Sequence, residues 1–223
     1  MYLVIVGAGP VGNSLIELAL EAGHDVVMVE PDAARAEHCA DRHDVRVLAM
    51  DVAEDEFPEE SGLEQADALI ATTTDDSTNL MAVFLGRETG VATLASTVNH
   101  DSHVQLFRRL GVRVLADPER LVAQHLLDIT LLPRTTDVTT LQDSEQVIEL
   151  TLAPGSPLAG LTLEEIAERE LLGPGLFIIS VARKGKAFFP RHATRLEGGD
   201  QLIVFSRSAI RREDLDVFNG GRS

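Results

Sequence analysis

A glycine-rich turn near the start of the chain constrains its fold more than any other feature. Gly7-Ala8-Gly9-Pro10-Val11-Gly12 fits the pattern G-x-G-x-x-G. It follows the apolar run Tyr2 to Val6, which reads as a buried strand. It opens the stretch Pro10 to Ala22, which places Val11, Leu15, Leu18 and Ala19 on one helical face. In this context each glycine has a physical reason. Gly7 permits a tight turn, Gly9 lets the backbone come close to a pyrophosphate, and Gly12 lets the helix pack on the strand. The helix N-terminus presents free N–H groups and a partial positive charge to phosphates. Gly7, Ala8, Gly9, Pro10, Val11 and Gly12 are therefore the first candidate cofactor-binding residues.

The rest of the first half continues this rhythm. Strands are expected at Asp25 to Glu30, Val45 to Leu48, Ala68 to Ala71, Val91 to Val98 and Val112 to Leu115. Helices are expected at Asp32 to Ala40, Asp76 to Thr89 and Asp101 to Leu110. Such alternation predicts a parallel sheet covered on both faces, a Rossmann-type doubly wound α/β domain. The acidic stretch Glu54 to Glu60, broken by Phe57 and Pro58, reads as a solvated loop.

Pro118 opens a longer apolar helix, Glu119 to Leu131, and Pro133 ends it. Leu121, Val122, His125, Leu126 and Ile129 form a broad stripe, which suits either packing on the chain's own sheet or a crossover and dimerisation role. Beyond it the pattern changes. Val147 to Leu152 alternates. Thr162 and Glu165 form a capping box for a short helix. Arg183-Lys184-Gly185-Lys186 reads as a hairpin turn, and Gly198-Gly199-Asp200 leads into the strand Gln201 to Phe205. The expected organisation is a nucleotide-binding domain over residues 1–117, a crossover helix over 118–134 and a smaller α+β domain over 135–223.

Charge narrows the function. The 223 residues include 36 acidic and 19 basic side chains, a formal net charge of −17. That excess opposes binding to nucleic-acid phosphates or anionic lipid surfaces. Lys184 and Lys186 are the only lysines, and a lysine-poor, acid-rich surface suits a protein working in molar salt, where self-repulsion is screened. The single cysteine, Cys39, allows neither an internal disulfide nor a cysteine-based zinc cage. No apolar run reaches the ~18 residues of a membrane span, and the apolar start lacks the basic flank of a signal peptide. These features point to the cytoplasm.

Further candidates lie at the ends of the strands, where doubly wound sheets bind ligands. Glu30 lies 18 residues after Gly12. Its carboxylate suits both ribose hydroxyls of an adenosine and would repel a 2′-phosphate, so NADP is disfavoured. Asp51 is placed to meet an adenine edge or to serve as a loop acid. Thr72, Thr73 and Thr74 end the fourth strand and face the nucleotide region. Asp75 or Asp76 makes a good N-cap for the next helix. Asn79, one turn in, is placed to reach back to the loop.

At this point the chain resembles the RCK (also called KTN) family of TrkA-like regulatory subunits of potassium channels and transporters. The residues that carry the resemblance are Val4 to Gly12, Glu30, Thr72-Thr73-Thr74-Asp75-Asp76-Ser77-Thr78-Asn79-Leu80, Gly111-Val112 and Asp117-Pro118-Glu119. In the second half they are Ser156 to Leu163, Val181-Ala182-Arg183 and Gly198 to Leu202. The resemblance implies a cytoplasmic subunit that binds NAD(H), ATP or ADP in its first domain. It implies a homodimer that assembles into a ring beneath a membrane-embedded channel or transporter subunit, and so lies at the inner face of the membrane. The nucleotide changes the ring and the ring gates the pore. In some relatives the second domain binds a further effector. Two positions depart from the family. Ser96 stands in place of a common arginine, without its charge, which weighs against tight ATP binding. Met50 stands where a glycine is frequent, and its side chain is expected to crowd the adenine pocket.

Two other classes share the glycine fingerprint. An NAD-dependent oxidoreductase needs an acid/base set. Tyr2, expected to be buried in the first strand, offers no proton-relay pair, His100 and His103 read as surface residues, and Cys39 reads as a packing residue. A Rossmann-type redox-sensing regulator of transcription needs a basic recognition helix, and none is visible. The expectation is a regulator and not an enzyme.

Overall fold

A computed structural model describes residues 1–132, 135–141 and 145–220. The expected helix end at Pro133 and the last residues of both the crossover helix and the second domain lie outside the described residues. The chain divides into two compact units, Met1–Arg120 and Leu121–Ser223.

The first unit follows the alternation of the sequence. Its strands are β1 (Tyr2–Val6), β2 (Asp25–Val29), β3 (Arg46–Leu48), β4 (Ala68–Ala71), β5 (Thr93–Val98) and β6 (Arg113–Ala116). Its helices are α1 (Pro10–Glu21), α2 (Ala33–Arg42), α3 (Phe57–Glu60), α4 (Asp76–Glu88) and α5 (Asp101–Arg109). The strands form one parallel sheet in the order β3-β2-β1-β4-β5-β6. The chain winds outward from β1 in one direction and restarts at β4 in the other, so the topological switch lies between β1 and β4.

Both faces of this sheet are buried, which explains its near-continuous apolar strands. Side chains alternate along β1. Leu3 and Ile5 pack with Ile16, Ala19, Met28 and Cys39 on one face. Val4 and Val6 pack with Leu69, Ala82, Val83 and Phe107 on the other. The acidic stretch Glu54 to Glu60 is not a plain solvated loop. It contains α3, and Phe57 is fully buried in the second of these clusters. The apolar residue anchors the segment while the carboxylates around it stay in water.

The helix α6 (Pro118–Leu131) follows. Its Leu121, Val122, Leu126, Leu127 and Ile129 are exposed. The second unit is antiparallel, built from β7 (Thr135–Thr140), β8 (Gln146–Thr151), β9 (Leu176–Arg183), β10 (Lys186–Phe188) and β11 (Gln201–Ser206) in the order β10-β9-β11-β8-β7. The helices α7 (Leu163–Glu168) and α8 (Arg212–Asn219) complete it. Ile148, Leu152, Leu158, Ile166, Leu202 and Phe218 form its core. The capping box of Thr162 and Glu165 is present at α7. No helix among the described residues is long and apolar enough to cross a membrane.

Candidate functional site

Strand register brings the candidate residues of the first unit together. Val6 pairs with Val29 of β2 on one side and Ala71 of β4 on the other. The next residues of the three strands, Gly7, Glu30 and Thr72, therefore leave the sheet at one level beside the topological switch. Backbone bonds fix them there: Gly7 N–H donates to Val29 C=O at 2.8 Å and Thr72 N–H to Val6 C=O at 2.8 Å.

The three glycines differ in what surrounds them. Gly7 has φ +103°, a conformation that side chains resist, and a Cβ there would sit 2.9 Å from Thr73 Cγ2. A Cβ on Gly12 would lie 1.9 Å from Gly7 O, so the helix packs against the turn with no room for a methyl. Gly9 is open: nothing lies within 4 Å of its Cβ position. Among the described residues no protein acceptor faces the amides of Gly9, Val11 or Gly12. Pro10 occupies the first helical position, where no donor is needed. Open space flanked by unaccepted amides at a helix N-terminus fits a phosphate group.

Glu30 is 3% exposed and is already engaged. Its Oε2 accepts from Ala8 N–H at 2.9 Å, and its Oε1 accepts from Asp32 N–H at 3.1 Å. Arg35 approaches the same carboxylate at 3.9 Å. Asp51 is exposed and accepts from Ala53 N–H at 2.9 Å, which shapes the turn after β3. Met50 does not crowd the nucleotide side. It is buried in the core cluster that includes Val52 and Phe57.

The segment after β4 is a dense network. Thr72 Oγ1 donates toward the carbonyls of Val6 and Gly7 at 3.1 and 3.2 Å. Asn79, fully buried, reaches back. Its Oδ1 accepts from Thr73 N–H at 3.0 Å and from Thr73 Oγ1 at 2.7 Å, while its Nδ2 donates to Thr73 C=O at 3.0 Å. Thr74 is exposed beside it. The helix cap is Asp75, whose carboxylate accepts from the amides of Ser77 and Thr78; hydrogen bonds from the Thr78 side chain and backbone hold its pKa below the ordinary carboxylate value. Ser96 is buried, and its Oγ donates to Thr97 C=O at 2.7 Å.

Asp76 has a different role from a cap. Its buried carboxylate accepts from Asn99 N–H at 2.7 Å, Asn99 Nδ2 at 2.9 Å, His100 N–H at 3.0 Å and His103 Nδ1 at 2.8 Å. His100 and His103 are both exposed, as expected, and His103 in addition pairs with Asp76. Asn99 Nδ2 also approaches Thr73 C=O at 3.3 Å. Sequence reasoning missed Asn99, Asn13 and His43; Asn99 meets Asp76, and Asn13 meets His43, across long separations in the chain. Cys39 is buried, and burial followed by the nearby Glu30 charge pushes its thiol pKa up, which suits packing and opposes nucleophilic use. Tyr2 is only half-buried, with its hydroxyl donating to Ser61 C=O at 2.6 Å.

The chain matches the family model of the TrkA-N domain over residues 3–118 and that of the TrkA-C domain over residues 147–213. It is 24% identical over 221 residues to the Trk system potassium uptake protein TrkA homolog of Methanothermobacter thermautotrophicus, covering 99% of this chain and 100% of that one. It is 28% identical over 225 residues to the TrkA homolog of Archaeoglobus fulgidus, covering 99% of this chain but 49% of that protein. It is 26% identical over 223 residues to the Trk system potassium uptake protein TrkA of Vibrio alginolyticus, covering 93% of this chain and 47% of that one. The chain thus spans the whole of one relative and about half of the other two. Among solved structures, the GsuK channel superposes over 100% of this chain and 40% of its own, with TM-score 0.65 and 22% identity. The GsuK channel bound to NAD gives TM-score 0.63 at 22% identity, with the same coverage. At this identity the likeness shows the fold.

Proposed function

The chain belongs to the TrkA-N domain family, and from that premise we propose that it is a nucleotide-binding regulatory subunit that gates a potassium transporter or channel. The observation that carries this reading is the open cradle at Gly9, flanked by unaccepted amides, with the buried Glu30 at its edge. In this reading the Gly7–Gly12 loop holds phosphates and Glu30 takes the ribose hydroxyls. Asp51 and Thr74 border the cleft, Thr73 shapes its floor, and Ser96 lies under it without adding charge. An NAD(H) or ADP ligand suits this arrangement better than ATP or NADP. The bound nucleotide would contribute phosphate charge and a ribose diol; the chain's own amides and carboxylate do the recognition.

The reading is regulatory and not catalytic. Cys39 is sealed in the core, which opposes nucleophilic use, and the relatives are named as potassium uptake proteins. A ligand regulates only through different affinities for two states. The exposed apolar stripe of α6 supports a homodimer, and the relatives named as potassium uptake proteins support a membrane potassium transporter as partner at the cytoplasmic face. Assembly into a ring and a further effector in the second unit extend the same reading.

The test is a calorimetric and thermal-shift titration of the whole chain with NADH, NAD, ADP, ATP, AMP and cyclic di-AMP, in dilute buffer and in molar KCl. Ligands that bind only the folded state raise its melting temperature. A saturable shift with NADH, NAD or ADP is expected. No shift with any of the six overturns the nucleotide reading.

A further inference from the structure

The backbone of Ala8 is held on both sides, through the peptide group before it and the one after it. Its N–H donates to Glu30 Oε2, and its C=O accepts from Asn13 Nδ2 at 2.7 Å. The same Nδ2 donates to Gly9 C=O at 3.0 Å, and the Asn13 backbone N–H donates to that carbonyl at 3.0 Å as well. Both hydrogens of the Asn13 amide are thus used on loop carbonyls. Flipping the amide would set its oxygen against two carbonyl oxygens, so its orientation is fixed by the network.

The amide oxygen has its own partner. Asn13 Oδ1 lies 3.3 Å from His43 Nε2. Since Oδ1 can only accept, Nε2 carries the hydrogen. His43 is 8% exposed and caps the C-terminus of α2, so this donor is anchored in a packed region. A chain of contacts therefore runs from His43 through Asn13 to the loop carbonyls.

Geometry then sets the consequence. In a trans peptide the C=O and the following N–H point in opposite directions, and the chain contains no cis peptide bond among its described residues. Pulling Ala8 C=O toward Asn13 directs the Gly9 N–H the other way. No protein acceptor waits there among the described residues, and the adjacent Cβ position of Gly9 is open.

We propose that Asn13 is a positioning residue that aims the Gly9 amide at the phosphates of a diphosphate-bearing nucleotide, and that His43 holds Asn13 in the orientation this requires. The inference rests on the nucleotide reading above. It assigns phosphate affinity to two side chains that never touch the ligand.

The experiment compares ADP, NAD and adenosine binding by calorimetry in the whole chain and its variants. Asn13→Leu removes both donors and is expected to weaken ADP and NAD about tenfold, with adenosine changed less than about twofold. His43→Phe acts in the same direction without touching the loop, and His43→Gln, which keeps an N–H donor, restores most of the affinity. Melting temperatures and far-UV circular dichroism establish that each variant is folded. Equal losses for adenosine and ADP would make the role structural and overturn the proposal, as would unchanged ADP affinity in both folded Asn13→Leu and His43→Phe. Should Asn13→Leu fail to fold, the His43 pair decides alone. If the unaltered chain binds none of the three probes, the nucleotide reading itself is overturned and this inference with it, a result distinct from selective failure of the variants.

Discussion

Asp76 Oδ2 accepts a hydrogen bond from His103 Nδ1 at 2.8 Å, tying the start of α4 to the first turn of α5. With Asn99 and His100 the carboxylate gathers four donors. Burial alone would raise its pKa, but the hydrogen bonds from Asn99, His103 and His100 outweigh burial and hold it below the ordinary value of 3.8. A depressed pKa in the folded state means stability that is present above the unfolded pKa and lost as pH falls through the folded one. Asp76→Asn is expected to cost about 1–3 kcal/mol at neutral pH, and the variant should show a shallower further loss below about pH 4. Tyr2 is the only tyrosine, it lies in the first unit, and the chain has no Trp, so urea melts followed by tyrosine emission report on that unit.

The glycines of the loop should separate folding from binding. In Gly12→Ala the new methyl meets backbone at 1.9 Å, so the loop itself must move. A loss of about 1–3 kcal/mol is expected together with loss of nucleotide binding. Gly9→Ala meets nothing in the protein, so stability should change by about 1 kcal/mol or less while the methyl enters the phosphate space and affinity falls. Parallel melts and calorimetry check both halves of the contrast.

Glu30→Ala should weaken NAD by more than about tenfold, as expected for a lost charged hydrogen-bonding group. It should also narrow the preference for NAD over NADP, because the carboxylate no longer opposes a 2′-phosphate. The check is the ratio of the two dissociation constants in the variant and the unaltered chain. An unchanged ratio removes Glu30 from the ribose site.

In the second unit Arg183 clasps Asp200 through two bonds of 2.8 Å, and Asp200 is 1% exposed. Burial would raise the pKa of Asp200, but the hydrogen bonds and charge of Arg183, with the Glu197 amide, hold it down. Arg183→Ala leaves that buried carboxylate with its backbone bond alone. A destabilisation of about 2–3 kcal/mol is expected, read as faster hydrogen exchange of the β9 and β11 amides. The partly exposed guanidinium keeps the figure below that of a fully buried pair.

The stripe of α6 carries the assembly prediction. Leu126→Asp places a charge beside Val122 and Ile129 on an exposed apolar face. Light scattering after gel filtration should show a smaller species than the unaltered chain, with the melting temperature nearly unchanged. A stripe that serves another purpose would leave the mass as it was.

The sheet of the first unit is legible in the sequence because its central strands β1, β2 and β4 are apolar on both faces and α1 and α4 carry periodic apolar positions. β7 is not: Thr135-Thr136-Asp137-Val138-Thr139-Thr140 has one apolar residue and lies at a sheet edge, where hydrophobic alternation fades. α8 escapes notice because only Leu215 and Phe218 mark its buried side within a charged segment. α3 is hidden by the carboxylates around Phe57. At the site, the glycines and Glu30 can be read from spacing, since both follow strands that pair directly. Asn13 with His43, and Asp76 with His103, meet only after separate βα units pack, so no local pattern announces them. Met50 reads toward the cleft by its place in the chain, yet its side chain turns into the core.

The contact between Glu30 and the Ala8 amide gives the cleft a resting occupant of its own. Each oxygen of that carboxylate keeps a lone pair beyond its present bond, so a hydroxyl that donates to Glu30 would join an anion already tied to the loop. One internal anion would then serve loop and guest at once, so that how firmly the chain holds itself enters how well it holds a nucleotide.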